Sequence, residues 1–127
     1  MDYKKSLENL EKLLFELKNE NKKVPILVEG DKDIEALNRV EISGTIISVN
    51  AGMSLTDFCD WIADRYNKII ILTDWDRRGG QICHTIIKNL EGRVNCDTNY
   101  RKIIAKNSMI RTIEGLPSWI EKIKDKL

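Results

Sequence analysis

Residues 69–72, Ile-Ile-Ile-Leu, form an unbroken apolar run that ends in Thr73-Asp74-Trp75-Asp76. A strand with one wet face alternates polar and apolar residues. A run without alternation needs cover on both faces, as in a parallel sheet. Val24 to Val28 is a second such run, and it also ends on an acid, Glu29. Parallel neighbours require long crossover connections, usually helical. The chain between and around these runs therefore has to supply helices, and its periodicity does.

Taken in order, residues 3–20 place Leu7, Leu10, Leu14 and Leu17 on one stripe of a charged helix, flanked by Leu13 and Phe15. Strand one covers 24–29, with Pro25 at its start, where a missing N–H does least harm. A helix over 31–40 follows, with Ile34, Leu37 and Val40 on one face. Strand two covers 45–49 and ends in a tight turn, Asn50-Ala51-Gly52. Ser54 caps a helix that runs to Tyr66 with Leu55, Phe58, Ile62 and Ala63 inward. Strand three is the 69–72 run, and its helix covers 81–90. Strand four covers 93–96. Thr98 caps a helix to Lys106, and after a linker Pro117 opens a last helix. Helices alternating with strands predict right-handed βαβ units and an α/β fold. The expectation is a Rossmann-like, four-stranded parallel sheet flanked by helices, with extra N- and C-terminal helices, in one domain over 1–127.

Composition narrows the function classes. The formal net charge of +1 gives no whole-molecule attraction to a phosphate polymer, so such contact must come from local clusters. Cys59, Cys83 and Cys96 are odd in number and widely spaced, which argues against a zinc site or a disulfide framework. They read as reduced core thiols of a cytoplasmic protein. The N-terminus carries no signal-like apolar run, and no apolar stretch reaches the about 18 residues that a membrane helix needs.

The acids stand where open α/β sheets bind ligands, at the carboxyl ends of strands. Neighbouring parallel strands lie about 4.8 Å apart, so Glu29 and Asp74 can converge. In extended chain Asp74 and Asp76 face the same way, with Trp75 turned aside. Like charges at that range call for a neutraliser. A hard cation such as Mg²⁺, bound by one or two carboxylates plus substrate phosphates, supplies one. Arg77 and Arg78 suit forked contacts with phosphate oxygens. Gly79-Gly80 permit close backbone approach ahead of a helix N-terminus, and Gly30 and Gly52 stand in the turns after strands one and two.

Each residue also has a plainer reading. Asp31 and Asp33 suit the first turn of a helix as dipole partners. Arg77 and Arg78 can pair with the aspartates. His84, alone on its helix, reads as a packing or surface residue rather than a base. Trp61, Trp75 and Trp119 read as packing residues. Lys4-Lys5, Lys22-Lys23 and Arg101-Lys102 read as solvated faces. Neither a Walker loop nor a dinucleotide fingerprint is present.

Val28-Glu29-Gly30-Asp31-Lys32-Asp33 with Ile34-Glu35-Ala36-Leu37 behind it, then Asn50-Ala51-Gly52, then Asp74-Trp75-Asp76-Arg77-Arg78-Gly79, resemble the Toprim domain. That domain is shared by topoisomerases, bacterial-type primases, several nucleases, recombination-repair proteins and ribosomal-RNA maturases. The resemblance covers 24–96, leaving 1–23 as an N-terminal helix and 97–127 as C-terminal helices. The whole chain is similar to small stand-alone Toprim proteins of archaea and bacteria. The resemblance implies that Glu29 acts as general acid or base, or as a metal ligand, and that Asp74 and Asp76 hold Mg²⁺, with Mn²⁺ as a substitute. It implies a supporting role for Asp33 at the metal. Arg77 and Gly79 match the tail of the acidic motif, and Gly30 and Gly52 its turn glycines. Tyr3, Tyr66 and Tyr100 have no topoisomerase context, and the zinc-binding and helicase-binding parts of a primase are lacking.

The expected function is Mg²⁺-dependent phosphoryl transfer on RNA or DNA, as a nuclease or nucleotidyl transferase. The alternative is a non-catalytic nucleic-acid-binding or adaptor module in a repair or ribosome-associated complex. A phosphatase of the haloacid-dehalogenase type would carry its D-x-D after strand one, not strand three. Nucleic acid is the expected partner, with no membrane. A protein partner is a further expectation, and the terminal helices offer a face for a homodimer.

Overall fold

The computed structural model of the protein describes residues 1–49 and 52–127. The elements are α1 (Tyr3–Glu20), β1 (Ile26–Val28), α2 (Asp31–Arg39), β2 (Ile46–Ser48), α3 (Leu55–Arg65), β3 (Lys68–Ile71), α4 (Arg77–Leu90), β4 (Asn95–Asp97), α5 (Asn99–Lys106) and α6 (Leu116–Asp125). The strands form one parallel sheet in the order β2-β1-β3-β4. Ile26 pairs with Ile46 on one side and Ile70 on the other. The chain moves outward from β1 to β2, crosses back to β3, and continues outward to β4. The winding thus reverses between β1 and β3, and the crevice at that reversal is where such sheets hold ligands.

The unbroken apolar runs are explained by cover on both faces. Ile26, Val28, Ile70 and Leu72 pack with Leu10, Leu13 and Leu17 of α1, Ala36 and Leu37 of α2, and Trp119, Ile120 and Ile123 of α6. The alternate residues Leu27, Ile69 and Ile71 pack with Phe58, Cys59 and Ile62 of α3 and Cys83, Ile86 and Leu90 of α4. All seven of these strand residues are fully buried, each contributing about 1.5–3 kcal/mol by leaving water. The short β1 and β3 are therefore rigid supports for whatever follows them.

Three expectations are corrected in detail. The helix after β3 starts at Arg77, not at residue 81, because the Asp76 carboxylate accepts the Gly79 N–H at 2.7 Å and caps it. A good cap outweighs the low helix propensity of Gly79-Gly80. The last strand covers 95–97 rather than 93–96, because the Arg93 and Val94 N–H groups still bond back to the Leu90 carbonyl. Pairing starts only at Asn95, whose N–H reaches the Asn67 carbonyl. Phe15 does not join the α1 stripe and is 68% exposed. The three cysteines are free thiols. No helix among the described residues is long and apolar enough to cross a membrane.

Candidate active site at the carboxyl ends of β1 and β3

The hydrogen-bond ladder between β1 and β3 runs Ile70 N–H to Pro25 O, then Leu72 N–H to Leu27 O. At the next rung the Asp74 N–H is met by the side chain of Glu29, with Oε2 accepting at 2.8 Å. The sheet ends by replacing a backbone carbonyl with a carboxylate, and this fixes Glu29 beside Asp74. The Ser48 hydroxyl donates to the Glu29 carbonyl and ties in β2. The Gly30 N–H donates to Asp33 Oδ2 at 3.1 Å, which turns Asp33 back from the first turn of α2 toward the same point.

An open crevice joins these groups. It is lined by Glu29, Asp33, Asp74, Arg78 and Glu114, with Asp31 and Lys32 among the residues at its α2 side. Asp33 is buried, and burial pushes its carboxyl up, helped by the charges of Glu29 and Glu114. Asp74 is pushed up to about 7, first by burial and then by Glu29 and Asp33, against the pull of the Ile113 N–H. A site that crowds carboxylates in this way is short of positive charge.

Of the residues singled out from sequence, Glu29, Asp33, Asp74, Gly30 and Arg78 border the crevice. Asp76 and Arg77 are not among its lining residues. Asp76 is occupied as the α4 cap, and Arg77 is exposed. Gly79 is buried against the motif itself: a Cβ there would lie 1.9 Å from the Asp74 carbonyl oxygen. Gly30 has open space at its Cβ position and an extended backbone, φ −153°. Gly52 has φ +81°, a left-handed conformation that favours glycine. Its turn partners Asn50 and Ala51 lie outside the described residues. His84 is exposed.

The sequence reading missed two contributors. Arg101, expected on a solvated face, is half-buried. Its Nε donates to the Thr73 carbonyl at 2.8 Å and its Nη2 to the Asp74 carbonyl at 2.6 Å. Glu114 comes from the linker before α6. That linker is held by Asp74 Oδ1, which accepts the Ile113 N–H at 2.9 Å. Trp75 also holds it, donating its backbone N–H to the Arg111 carbonyl and its indole N–H to the Ile110 carbonyl. Nothing local marks either residue, because both are placed by contacts across 27 to 39 positions.

Among the described residues no three His, Cys, Asp or Glu side chains form a ready metal cage. The donor set is all carboxylate oxygen, which suits Mg²⁺. That ion commonly takes one or two protein carboxylates and fills the rest of its shell with water and substrate phosphate.

A family model of the Toprim domain matches residues 24–107, a span that takes in α5. A UPF0292 protein of Thermoplasma volcanium is 36% identical over 110 residues, covering 86% of this chain and 92% of the relative. One from Methanocaldococcus jannaschii is 35% identical over 118 residues, covering 91% and 92%. A solved structure of a putative protein from Aquifex aeolicus is similar with a TM-score of 0.71 at 28% identity, over 82% of this chain and 94% of that one.

Proposed function

The chain belongs to the Toprim domain family, and from that premise we propose that it is a Mg²⁺-dependent nuclease or nucleotidyl transferase acting on RNA or DNA. The observation that carries this reading is the convergence of Glu29 and Asp74 at the sheet's winding reversal, with Arg78 beside them.

In this reading Glu29, Asp74 and Asp76 are the catalytic and metal-binding acids, supported by Asp33. A cation held there would supply charge neutralisation at the phosphoryl oxygens and a more acidic water. Glu29 keeps one oxygen on the Asp74 N–H and holds or delivers the proton of the reacting hydroxyl with the other. Asp76 keeps one oxygen on the Gly79 N–H, and its second oxygen would be the one available to a cation. Arg78 and Arg77, at the start of α4, take phosphate oxygens as forked donors, and the helix N-terminus adds its unpaired N–H groups. Gly30 and Gly52, with nothing within 4 Å of a Cβ at either position, leave room for a strand of nucleic acid to approach, while Gly79 seats α4 against Asp74.

The occupation of Asp76 as a helix cap favours one second reading, a binding or adaptor module without catalysis. A labelled panel of structured RNA, duplex DNA and single strands, incubated with Mg²⁺ or Mn²⁺ and with EDTA controls, decides between them. The enzyme reading expects metal-dependent products that fall about 10²-fold or more in Glu29→Gln and Asp74→Asn. Binding of the polymers with no cleavage, or cleavage that survives both substitutions, moves the assignment to the adaptor.

A further inference from the structure

Asp74 sits between two peptide groups, and one side chain from outside the acidic motif grips both. Arg101 Nε donates to the Thr73 carbonyl at 2.8 Å, and its Nη2 donates to the Asp74 carbonyl at 2.6 Å. The first of these peptides carries the Asp74 N–H, which Glu29 Oε2 accepts at 2.8 Å. The second carries the Trp75 N–H, which the Arg111 carbonyl accepts at 2.9 Å. Peptide groups are planar, so only φ and ψ of Asp74 are free between them. Holding both planes fixes the direction in which the Asp74 side chain leaves the chain. We infer that Arg101 is the positioning residue of the site, setting the Asp74 backbone from the β4 side while Glu29 closes on it from the β1 side. The inference deepens the enzyme reading above and rests on it for its catalytic consequence.

The end of β4 explains why an arginine is needed there. The last pair of that ladder is Ile70 with Asp97, after which the chain turns into α5. The Asn67 carbonyl faces β4 and takes the Asn95 N–H. By the alternation of an extended chain the Thr73 carbonyl faces the same edge, beyond the last residue of β4. A longer strand would supply N–H donors at that edge, and α5 supplies a guanidinium instead. Its fixed fork serves two acceptors at once, which a lysine ammonium on a flexible stem does not. The Thr73–Asp74 peptide thus lies between a cation on its carbonyl and an anion on its N–H. Each charge polarises the peptide in the sense that strengthens the other's bond. Arg101 is half-buried, and among the described residues its guanidinium forms no ion pair. It does not line the crevice, so it acts through Asp74 and not on the substrate.

Site-resolved amide hydrogen exchange on the full chain tests the clamp without any ligand. The reference is the Leu72 amide, which bonds to the Leu27 carbonyl inside the ladder. In Arg101→Met the amides of Asp74 and of Ile113, which Asp74 Oδ1 holds, should exchange about tenfold or more faster relative to Leu72, the weight of a lost bond to a charged group. A residue that only stapled α5 to the sheet would speed all three amides together, as a loss of global stability does. Arg101→Lys, which keeps the charge without the fork, should fall between wild type and Arg101→Met. Lys102→Met, which removes a neighbouring exposed charge from α5, should match wild type. Circular dichroism establishes that each variant is folded. On the polymer that wild type cleaves, Arg101→Met should lower kcat about tenfold to a hundredfold at unchanged KM, as a displaced catalytic group does. An unchanged exchange ratio in Arg101→Met overturns the inference and leaves the proposed function standing. Wild-type kcat in Arg101→Met, beside an inactive Glu29→Gln, overturns it as well. A wild-type chain that cleaves nothing, while Arg101→Met frees the Asp74 amide, removes the enzyme reading and leaves the clamp.

Discussion

Asp74 carries three jobs on one residue. Its N–H holds Glu29, its Oδ1 holds Ile113, and its carbonyl receives Arg101. The carboxyl titrates near 7 because burial and the charges of Glu29 and Asp33 favour its protonated form. An unfolded aspartate titrates at about 3.9. Between those values the folded, metal-free protein binds more protons than the unfolded chain, so stability falls as pH rises through that window. Asp74→Asn keeps an oxygen for the Ile113 N–H and removes the titration. Its metal-free Tm should therefore drop less than that of wild type between pH 5 and pH 8. Parallel Tm profiles for the two proteins would show that the cluster of charges is not what limits stability there. Asp74, which we propose binds the cation, is in this sense kept at a cost in metal-free stability, which is common where a site must attract charge.

At the scale of elements, the start of α4 decides the geometry of the motif. The Asp76 cap places Gly79 directly against the Asp74 carbonyl, and the Thr73 hydroxyl closes the turn on the Gly79 carbonyl. Gly79→Ala has no room: its Cβ meets backbone, not a side chain that can swing away. It should lower stability by about 1–3 kcal/mol, as overpacking does, and displace Asp74 so that Mn²⁺ affinity falls with it. Chemical denaturation and ion binding on one preparation check both parts. A stable variant with unchanged affinity would mean that α4 can slide without moving the acid. The sequence alone suggested phosphate approach as the reason for this glycine, because a buried backbone contact made by the motif with itself leaves no periodic trace.

At the scale of the whole molecule, β1, β3 and the segment before α6 meet at one crevice, so occupation of that crevice should stabilise the fold as a unit. A ligand present at 100 times its Kd and bound only by the native state adds about 2.7 kcal/mol. With an unfolding entropy of about 2 cal/mol/K per residue, that corresponds to a rise in Tm of about 10 °C for a chain of this length. Thermal unfolding with and without saturating Mn²⁺ measures it, and Glu29→Gln should abolish the rise. An equal rise in that variant would place the ion elsewhere on the surface.

The sequence by itself determined the layered architecture. Runs such as Val24 to Val28 and Ile69 to Leu72 are stable only as doubly covered parallel strands, and the leucine and isoleucine spacing of α1 to α4 supplies the cover. It also placed Glu29 and Asp74 together, because the carboxyl ends of neighbouring strands converge whatever the details. Tertiary structure decided the rest of the site. One oxygen of Asp76 is taken by the Gly79 N–H as the cap of α4, a local bond that motif spacing cannot weigh. Arg101 and Glu114 reach the strand ends only after α5 and the linker to α6 have packed. Their positions depend on side-chain to backbone bonds between distant parts of the chain, and those carry no signature in hydrophobic period or motif order.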